Sequence, residues 1–514
     1  MRGIVSCIRP NHRIRGNGLK RKSLLNGESG HLVLMLVLSV ATQCVALLKS
    51  TVTASAFGAS MEMDAYNFSN NIILFLFSFL SSGITAVVIP AYVQKRPGEV
   101  TDSFLTFLYL LVFGGTGLIY LFREPLIGLL SNRDAAFRQA AADVMLYTII
   151  IQGVTGILAV TTAYYQCANR YNTPKLILLG CNCLAVVLIL LDKNLTIPRY
   201  LWFLSLTALI NLVLDVGIAI KCGFRYRPAF RFRSPGFRQL LAVFLPCVFS
   251  TGVYRIHALV DSLIAASLGE GRLTVLSYAN MVVSLVNTII IGNLTVYAFP
   301  KIVARMEDRD ERAGQKALWD YSTLFQLAVC LLIAGFFAVG QESIDLLFLH
   351  GKFSRDASRM VYIGSCIYLL GQENNIIRDL VYRYFFGKGN TKATFRNSIV
   401  VSCANLVFSL VLVQFLGLYG IILGTVLAGL LSLAMILGKM KKYYGLFPEF
   451  RGFLGQYLLS NLIMSVSILA VLALKKILPV LPGPAAIGLY GAATLGIFLL
   501  TAFLFRSKAL QVRL

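Results

Sequence analysis

Ionisable side chains lie inside long runs of residues that are mostly apolar, among them Asp215, Arg255, Asp261, Glu373 and Arg378. A charge within a membrane-spanning helix is costly unless it faces a cavity or a partner, so each of these residues marks a candidate site. A guanidinium matches the oxygens of a diphosphate in two-point contact, which makes Arg255 the first candidate for an anion contact. Asp215 and Glu373 are predicted to bind a coupling ion, either Na⁺ or H⁺.

The spacing of these charges leaves structural alternatives open. Arg255 and Asp261 are separated by about 120° around a helix, so they do not pair with each other, and an ion pair between helices explains Arg255 as well as a substrate does. Asp215 is isolated and could instead cap a neighbouring helix. Asp379 and Arg383 are four residues apart and are predicted to bridge along one helix face.

The composition demands lipid as the solvent of this chain. Of its 514 residues, 57% are hydrophobic and only 14% are charged. A span needs about 20 apolar residues, because only a helix satisfies its own backbone hydrogen bonds in hydrocarbon. The prediction is an all-α polytopic membrane protein with fourteen transmembrane helices, near 31–48, 70–93, 104–122, 139–163, 174–191, 198–220, 240–268, 273–299, 319–340, 359–380, 394–416, 418–438, 453–474 and 484–505.

The basic residues predict the orientation. Most of the 47 Lys and Arg residues fall in alternate loops, which the positive-inside rule places in the cytoplasm together with both termini. The largest basic loop, 221–239, is predicted to anchor the topology by touching anionic headgroups. The net charge of +24 therefore does not indicate nucleic acid. The ten cysteines are scattered without paired CxxC motifs and indicate no metal site.

A weak internal repeat predicts the domain organisation. The stretch from ASAFGAS (54–60) to IPAYVQK (89–95) parallels that from AASLGEG (265–271) to FPKIVAR (299–305). CANRYNTPK (167–175) parallels FFGKGNTK (385–392) at nearly the same offset. Six spans per repeat make the halves parallel. We expect a basic N-terminus (1–30), an N-lobe (31–220), the basic loop, a C-lobe (240–440), and two appended helices with the C-terminal tail (441–514).

The repeat segments also resemble a known family. Residues 245–280 are similar to the seventh and eighth spans of the MurJ/MviN lipid II flippases, which show a proline, an aspartate before an A-S-L-x-x-G turn, and a Tyr-Ala pair. The triplet Asp64-Ala65-Tyr66 resembles the segment between the first two spans of that family. LLFLHGKFS (346–354) and RYFFGKGNTK (383–392) are similar to two further stretches, so the resemblance covers about residues 31–440.

The resemblance implies a function as well as a fold. It implies the MOP-superfamily fold, in which two lobes alternate around a cationic cavity that holds the pyrophosphate and sugars of lipid II. With the buried charges, it gives the predicted substrate-binding residues Lys49, Asp64, Arg255, Asp261, Asn280 and Arg378.

The sequence departs from the family in that cavity. The cavity arginines of the family fall here at Gln43, at Phe77 or Ser78, and at Met281, whereas Lys49 keeps a positive charge. A family glutamate falls at Ser284. A protein that moves a different lipid-linked oligosaccharide would tolerate these changes.

The prediction is therefore a monomeric flippase for an undecaprenyl-diphosphate-linked saccharide in the bacterial cytoplasmic membrane. Membrane potential is a plausible drive, because each charge that crosses 100 mV contributes about 2.3 kcal/mol. The runner-up functions are an exopolysaccharide or O-antigen flippase and a MATE-like drug or cation antiporter. A membrane glycosyltransferase would need a longer outward loop than this sequence offers. No GxxxxGK[ST] loop is present, so direct ATP hydrolysis is not expected. No cofactor is expected either. Membrane lipids and enzymes of cell-wall or polysaccharide synthesis are the expected partners.

Overall fold

A computed structural model describes residues 28–88, 98–168, 170, 172–288, 302, 311–388, 390–478 and 483–505. The repeat segments at 89–95 and 299–305 and most of the predicted N-terminal region lie outside these residues, apart from Ile302. Within the described ranges every regular element is a helix, which confirms the all-α prediction. The helices are α1 (Glu28–Phe57), α2 (Met61–Gly83), α3 (Glu99–Leu121), α4 (Arg123–Leu130), α5 (Ala135–Cys167), α6 (Asn172–Leu191), α7 (Ile197–Lys221), α8 (Pro235–Ser267), α9 (Arg272–Val286), α10 (Glu311–Phe348), α11 (Arg355–Leu370), α12 (Gln372–Gly387), α13 (Thr391–Leu416), α14 (Leu418–Tyr444), α15 (Glu449–Ile477) and α16 (Gly483–Leu504).

Ten of the described helices are long and apolar enough to cross a membrane: α1, α3, α5, α6, α7, α10, α13, α14, α15 and α16. The chain is thus polytopic, while the count of fourteen spans stays a prediction. The span predicted at 359–380 is not one continuous helix, because α11 ends and α12 begins at Gly371. The polar residues of this region fall in the first turns of α12, beyond the break.

The helices pack in the same order twice. In the first helix group, α1 to α7, α1 packs on α6, α2 on α5, and α7 on both α5 and α6. In the second helix group, α8 to α14, α8 packs on α13, α9 on α11, and α14 on α11, α12 and α13. This recurrence has the order that the sequence repeat predicts for parallel halves. The appended pair, α15 and α16, packs on α10.

The basic loop after α7 lies across one end of α3. The main-chain N–H groups of Ala229 and Arg231 donate to the hydroxyls of Thr106 (3.2 Å) and Ser103 (3.2 Å). The guanidinium of Arg231 also lies 2.7 Å from the carboxylate of Glu99. The main chain of the loop is thereby held against α3. The basic side chains of the loop are exposed, as contact with anionic headgroups would require.

Candidate functional site

A cavity of about 1210 Å³ lies inside the first helix group. It is enclosed by α1, α2, α5, α6 and α7. These helices pack on one another in the order α1, α6, α7, α5, α2, and the ring is weakest between α2 and α1. The same two helices contact the second helix group, α2 through α8 and α9, and α1 through α10. The weak side of the ring therefore faces the second helix group.

The cavity combines apolar walls with a few charged and amide side chains. Its charged lining residues are Lys49, Lys175 and Asp215, and Gln166, Asn182 and Asn211 add amides. The ammonium of Lys175 on α6 donates to the Ser39 hydroxyl of α1 at 2.6 Å. Ammonium groups bind phosphate oxygens, and amides both donate to and accept from sugar hydroxyls. Such a lining suits an anionic, sugar-bearing ligand.

Asp215 is fixed at the wall of this cavity by two residues of α5. Its side chain is almost fully buried, and the Thr161 hydroxyl donates to its carboxylate at 2.5 Å. The Tyr165 hydroxyl donates to its main-chain oxygen at 2.9 Å. The carboxylate is thus held by one neutral donor on a cavity wall, where a cation or a proton could reach it.

Asp64 lies between the two helix groups rather than on the cavity. It is fully buried, and its carboxylate accepts from the main-chain N–H of Gly271 (2.7 Å) and from the N–H (2.8 Å) and hydroxyl (2.7 Å) of Thr274. Arg133 lies 3.3 Å from the same carboxylate. Asp64 therefore caps the start of α9 and joins the two helix groups, and the substrate contact predicted for it stays a prediction.

Two glycines allow the close approach at this end of the molecule. Gly271, with φ of +75°, packs so closely that a Cβ would lie 2.5 Å from the Ala59 main-chain oxygen. Gly351, with φ of +60°, packs in the same way on Ser55, whose main-chain oxygen accepts from the Lys352 N–H at 2.9 Å. Any side chain at either glycine would be strained and would clash. The turn between α1 and α2 is thereby closed against the second helix group.

The predicted site residues of the second helix group do not line the cavity. Asp261 on α8 is buried and faces Asn405 and Ser409 of α13, an oxygen-rich setting. Arg255 is half-buried one and a half turns earlier on α8, and Asn280 is exposed on α9. The structure therefore separates these three residues from Lys49.

The two predicted residues of α12 have different surroundings. The guanidinium of Arg378 lies 2.8 Å from the carboxylate of Asp379, and it lies 5.9 Å from the centroid of the Tyr382 ring. Arg378 thus contacts Asp379 from the adjacent position, and the bridge predicted between Asp379 and Arg383 stays a prediction. Glu373, in contrast, is buried among neutral groups of α10 and α15.

Sequence reasoning missed three residues that the structure places at these sites. Lys175 belongs to a repeat motif, yet it was not considered as a ligand. Arg133 lies in a short loop, and Thr274 follows an unremarkable turn. The repeat itself was a signal for Lys175, whereas nothing local indicates that Arg133 and Thr274 meet Asp64.

Comparison with known proteins identifies the family. The family model described as "Lipid II flippase MurJ" matches residues 53–480. A probable lipid II flippase MurJ of Synechocystis sp. is 22% identical over 427 residues, covering 77% of this chain and 78% of the relative. The lipid II flippase MurJ of Burkholderia cenocepacia is 23% identical over 422 residues, covering 77% and 80%.

Solved structures share the fold. The lipid II flippase MurJ in an inward closed conformation has a TM-score of 0.77 at 20% identity, covering 92% of this chain and 98% of that chain. An inward-facing multidrug resistance MATE family transporter of the MOP superfamily has a TM-score of 0.61 at 15% identity, covering 80% and 99%. The match to the family model spans most of the sequence, so the chain is a transporter rather than an enzyme and belongs to the MurJ family of lipid II flippases.

Proposed function

We propose that the chain moves lipid II, or a similar undecaprenyl-diphosphate-linked saccharide, across the bacterial cytoplasmic membrane by alternating access. The observation that carries the proposal is the cavity with Lys49 and Lys175, whose weak side faces the second helix group. In this account the lysines hold the diphosphate and the amides hold the sugars, while the polyprenyl chain stays in lipid. Both termini lie in the cytoplasm, as the basic loops predict.

We expect the contacts of Asp64 to control which end of the chamber is open. With the turn between α1 and α2 on the outer side, the bonds from Gly271 and Thr274 to Asp64 close the outer end of the chamber. Breaking them separates α2 from α9 and opens that end, while the groups approach each other at the cytoplasmic end. A carboxylate that binds Na⁺ or H⁺ can bias such an equilibrium, and Asp215 and Glu373 are the proposed ion-coupling residues.

A second class of substrate is favoured by the residues that occupy the positions of the family's cavity arginines. Phe77 and Ser78 are buried in the α2 packing, and the Ser78 hydroxyl donates to its own helix at 2.6 Å, so neither supplies a charge to a ligand. A flippase for a lipid-linked saccharide of exopolysaccharide or O-antigen synthesis would tolerate the loss of these charges. Arg255, Asp261, Asn280 and Arg378 stay proposed substrate contacts of the second helix group.

Complementation separates the two substrates. We expect this chain to restore growth when the resident lipid II flippase of a host bacterium is depleted. Lys49→Ala is expected to abolish rescue and Lys49→Arg to retain it, because only the latter keeps a cation at this position of the cavity. Lys193→Ala, at an exposed lysine after α6, is the matched control and should rescue fully.

The outcomes assign the substrate. Rescue of a surface-polysaccharide flippase mutant without rescue of the depleted strain would favour the second class. Full rescue by Lys49→Ala at normal membrane abundance would remove Lys49 from the site, and rescue of neither strain would contradict the flippase proposal.

A further inference from the structure

Glu373 lies at the junction of α12 with α10 and with α15, the first of the two appended helices. Its side chain is 6% exposed, and it lies near the middle of the segment formed by α11 and α12. At about 1.5 Å per residue, more than 20 Å of helix separates it from either end of that segment. An ionised carboxylate at this depth needs a cationic partner or several strong donors.

The groups around Glu373 are neutral. From α10, the Gln326 amide donates to Oε2 at 3.3 Å and the Cys330 thiol lies 3.6 Å from the same oxygen. From α15, Tyr457 and Asn461 face the carboxyl group. Among the described residues, α11, α13 and α14, which also pack on α12, place no charged side chain against it. Cys330 and Tyr457 are the titratable groups that face it.

The contacts of the Tyr457 hydroxyl favour a protonated Glu373. Its hydroxyl oxygen lies 2.9 Å from Asn374 Oδ1 and 3.4 Å from Glu373 Oε1. A phenol carries one hydrogen, and the shorter distance assigns it to the bond with Asn374. Oε1 of Glu373 then faces an oxygen lone pair, which repels a carboxylate and accepts from a carboxylic acid.

We propose that Glu373 is a proton-binding site at which its Oε1–H donates to the Tyr457 hydroxyl, which donates in turn to Asn374. Protonation forms the Oε1–H bond with H⁺ given up by a hydronium ion of the aqueous phase, which becomes water, and no other bond is made or broken. A metal cation fits less well, because the Gln326 amide and the Cys330 thiol point hydrogens at the carboxyl group. The Gln326 carbonyl oxygen is buried without a partner.

The proton on Glu373 holds the appended pair to the second helix group. Loss of the proton would place an uncompensated charge between α12 and α15 and loosen their contact. This consequence rests on the proposed transport cycle, in which Glu373 would take H⁺ rather than Na⁺. The protonation state itself does not depend on that cycle.

Infrared spectroscopy of the full chain in lipid vesicles tests the site at neutral pH. We expect the carbonyl stretch of a buried carboxylic acid in the wild-type protein and its loss in Glu373→Gln. Glu342→Gln is the matched control, because Glu342 on α10 forms an ion pair with Lys475 at 2.6 Å. That variant should keep the acid band unchanged.

A second variant keeps the test decisive if Glu373→Gln does not fold. Tyr457→Phe removes the acceptor, so the acid band should move to the frequency of a more weakly bonded carboxyl group. An acid band that is absent from the wild type, or is unaffected by Glu373→Gln or by Tyr457→Phe, overturns the proposal. The measurement requires no transport, so its failure leaves the flippase proposal standing, and failed complementation leaves the proton site standing.

Discussion

Removal of the Asp64 carboxylate is expected to open the end of the molecule where α1 meets α2. Asp64 belongs to the first helix group, while Gly271 and Thr274, its donors, belong to the second. The three bonds therefore exist only while the groups touch at this end. A hydrogen bond to a charged acceptor contributes about 1.5–3 kcal/mol net, and neighbouring bonds do not add fully. We expect Asp64→Ala to cost the closed state about 3 kcal/mol, which shifts the equilibrium about 150-fold.

Pulsed electron paramagnetic resonance can measure this shift. Spin labels at Glu62 of α2 and Asp356 of α11, both exposed, report the separation of the two groups in a background without native cysteines. We expect one short distance in the parent protein and a dominant longer distance in Asp64→Ala. Asp143→Ala is the control, because that exposed carboxylate contacts Gln139 of its own helix. Identical distance distributions in Asp64→Ala and the parent would refute the assignment of Asp64 to closure.

Three further substitutions test neighbouring features. Gly351→Ala forces φ of +60° on a side chain and places its Cβ 2.2 Å from a main-chain oxygen of α1, so it should destabilise the closed protein by about 2 kcal/mol and lower its melting temperature in calorimetry. Arg378→Ala removes a partly exposed ion pair with Asp379, worth about 0–1 kcal/mol, so reduced flux at an unchanged melting temperature would indicate substrate contact and unchanged flux would exclude it. Thr161→Val deletes the donor to Asp215 and should change the Na⁺ or H⁺ dependence of transport, whereas an unaltered dependence would remove Asp215 from ion coupling.

The fold was predictable because lipid imposes a simple rule on sequence. Segments such as α13 and α14 are apolar over a full membrane thickness, so hydropathy alone finds them. The rule weakens where a helix lies against other helices, because its polar residues can then contact protein groups instead of lipid. The segment around Gly371 carries Glu373 and Arg378 for this reason, and its break was not predicted.

The sites were less predictable because their residues converge from distant parts of the chain. Asp64 was identified from a motif, but its donors lie about 200 residues later, beyond the reach of any local pattern. Gln326, Glu373 and Tyr457 come from three helices, and only the carboxylate stood out as unusual in its span. Sequence finds the costly group, whereas packing decides which neutral groups surround it.

The contact at Asp64 also shows that the two repeats can supply different halves of one closing contact, the acceptor and the donors. The turns that contain Gly58 and Gly269 correspond in the two repeats, and they meet where Gly271 packs on Ala59. At the offset between those glycines, the position that corresponds to Asp64 is Val275, a buried apolar residue. Two carboxylates at this contact would repel each other, and both would need the same few hydrogen-bond donors. The first repeat supplies the acceptor and the second supplies the free N–H groups at the start of α9, so closure is specific to this pairing. A carboxylate introduced by Val275→Asp should therefore weaken closure rather than reinforce it, and a closed-state distance that stays dominant in that variant would contradict this reasoning.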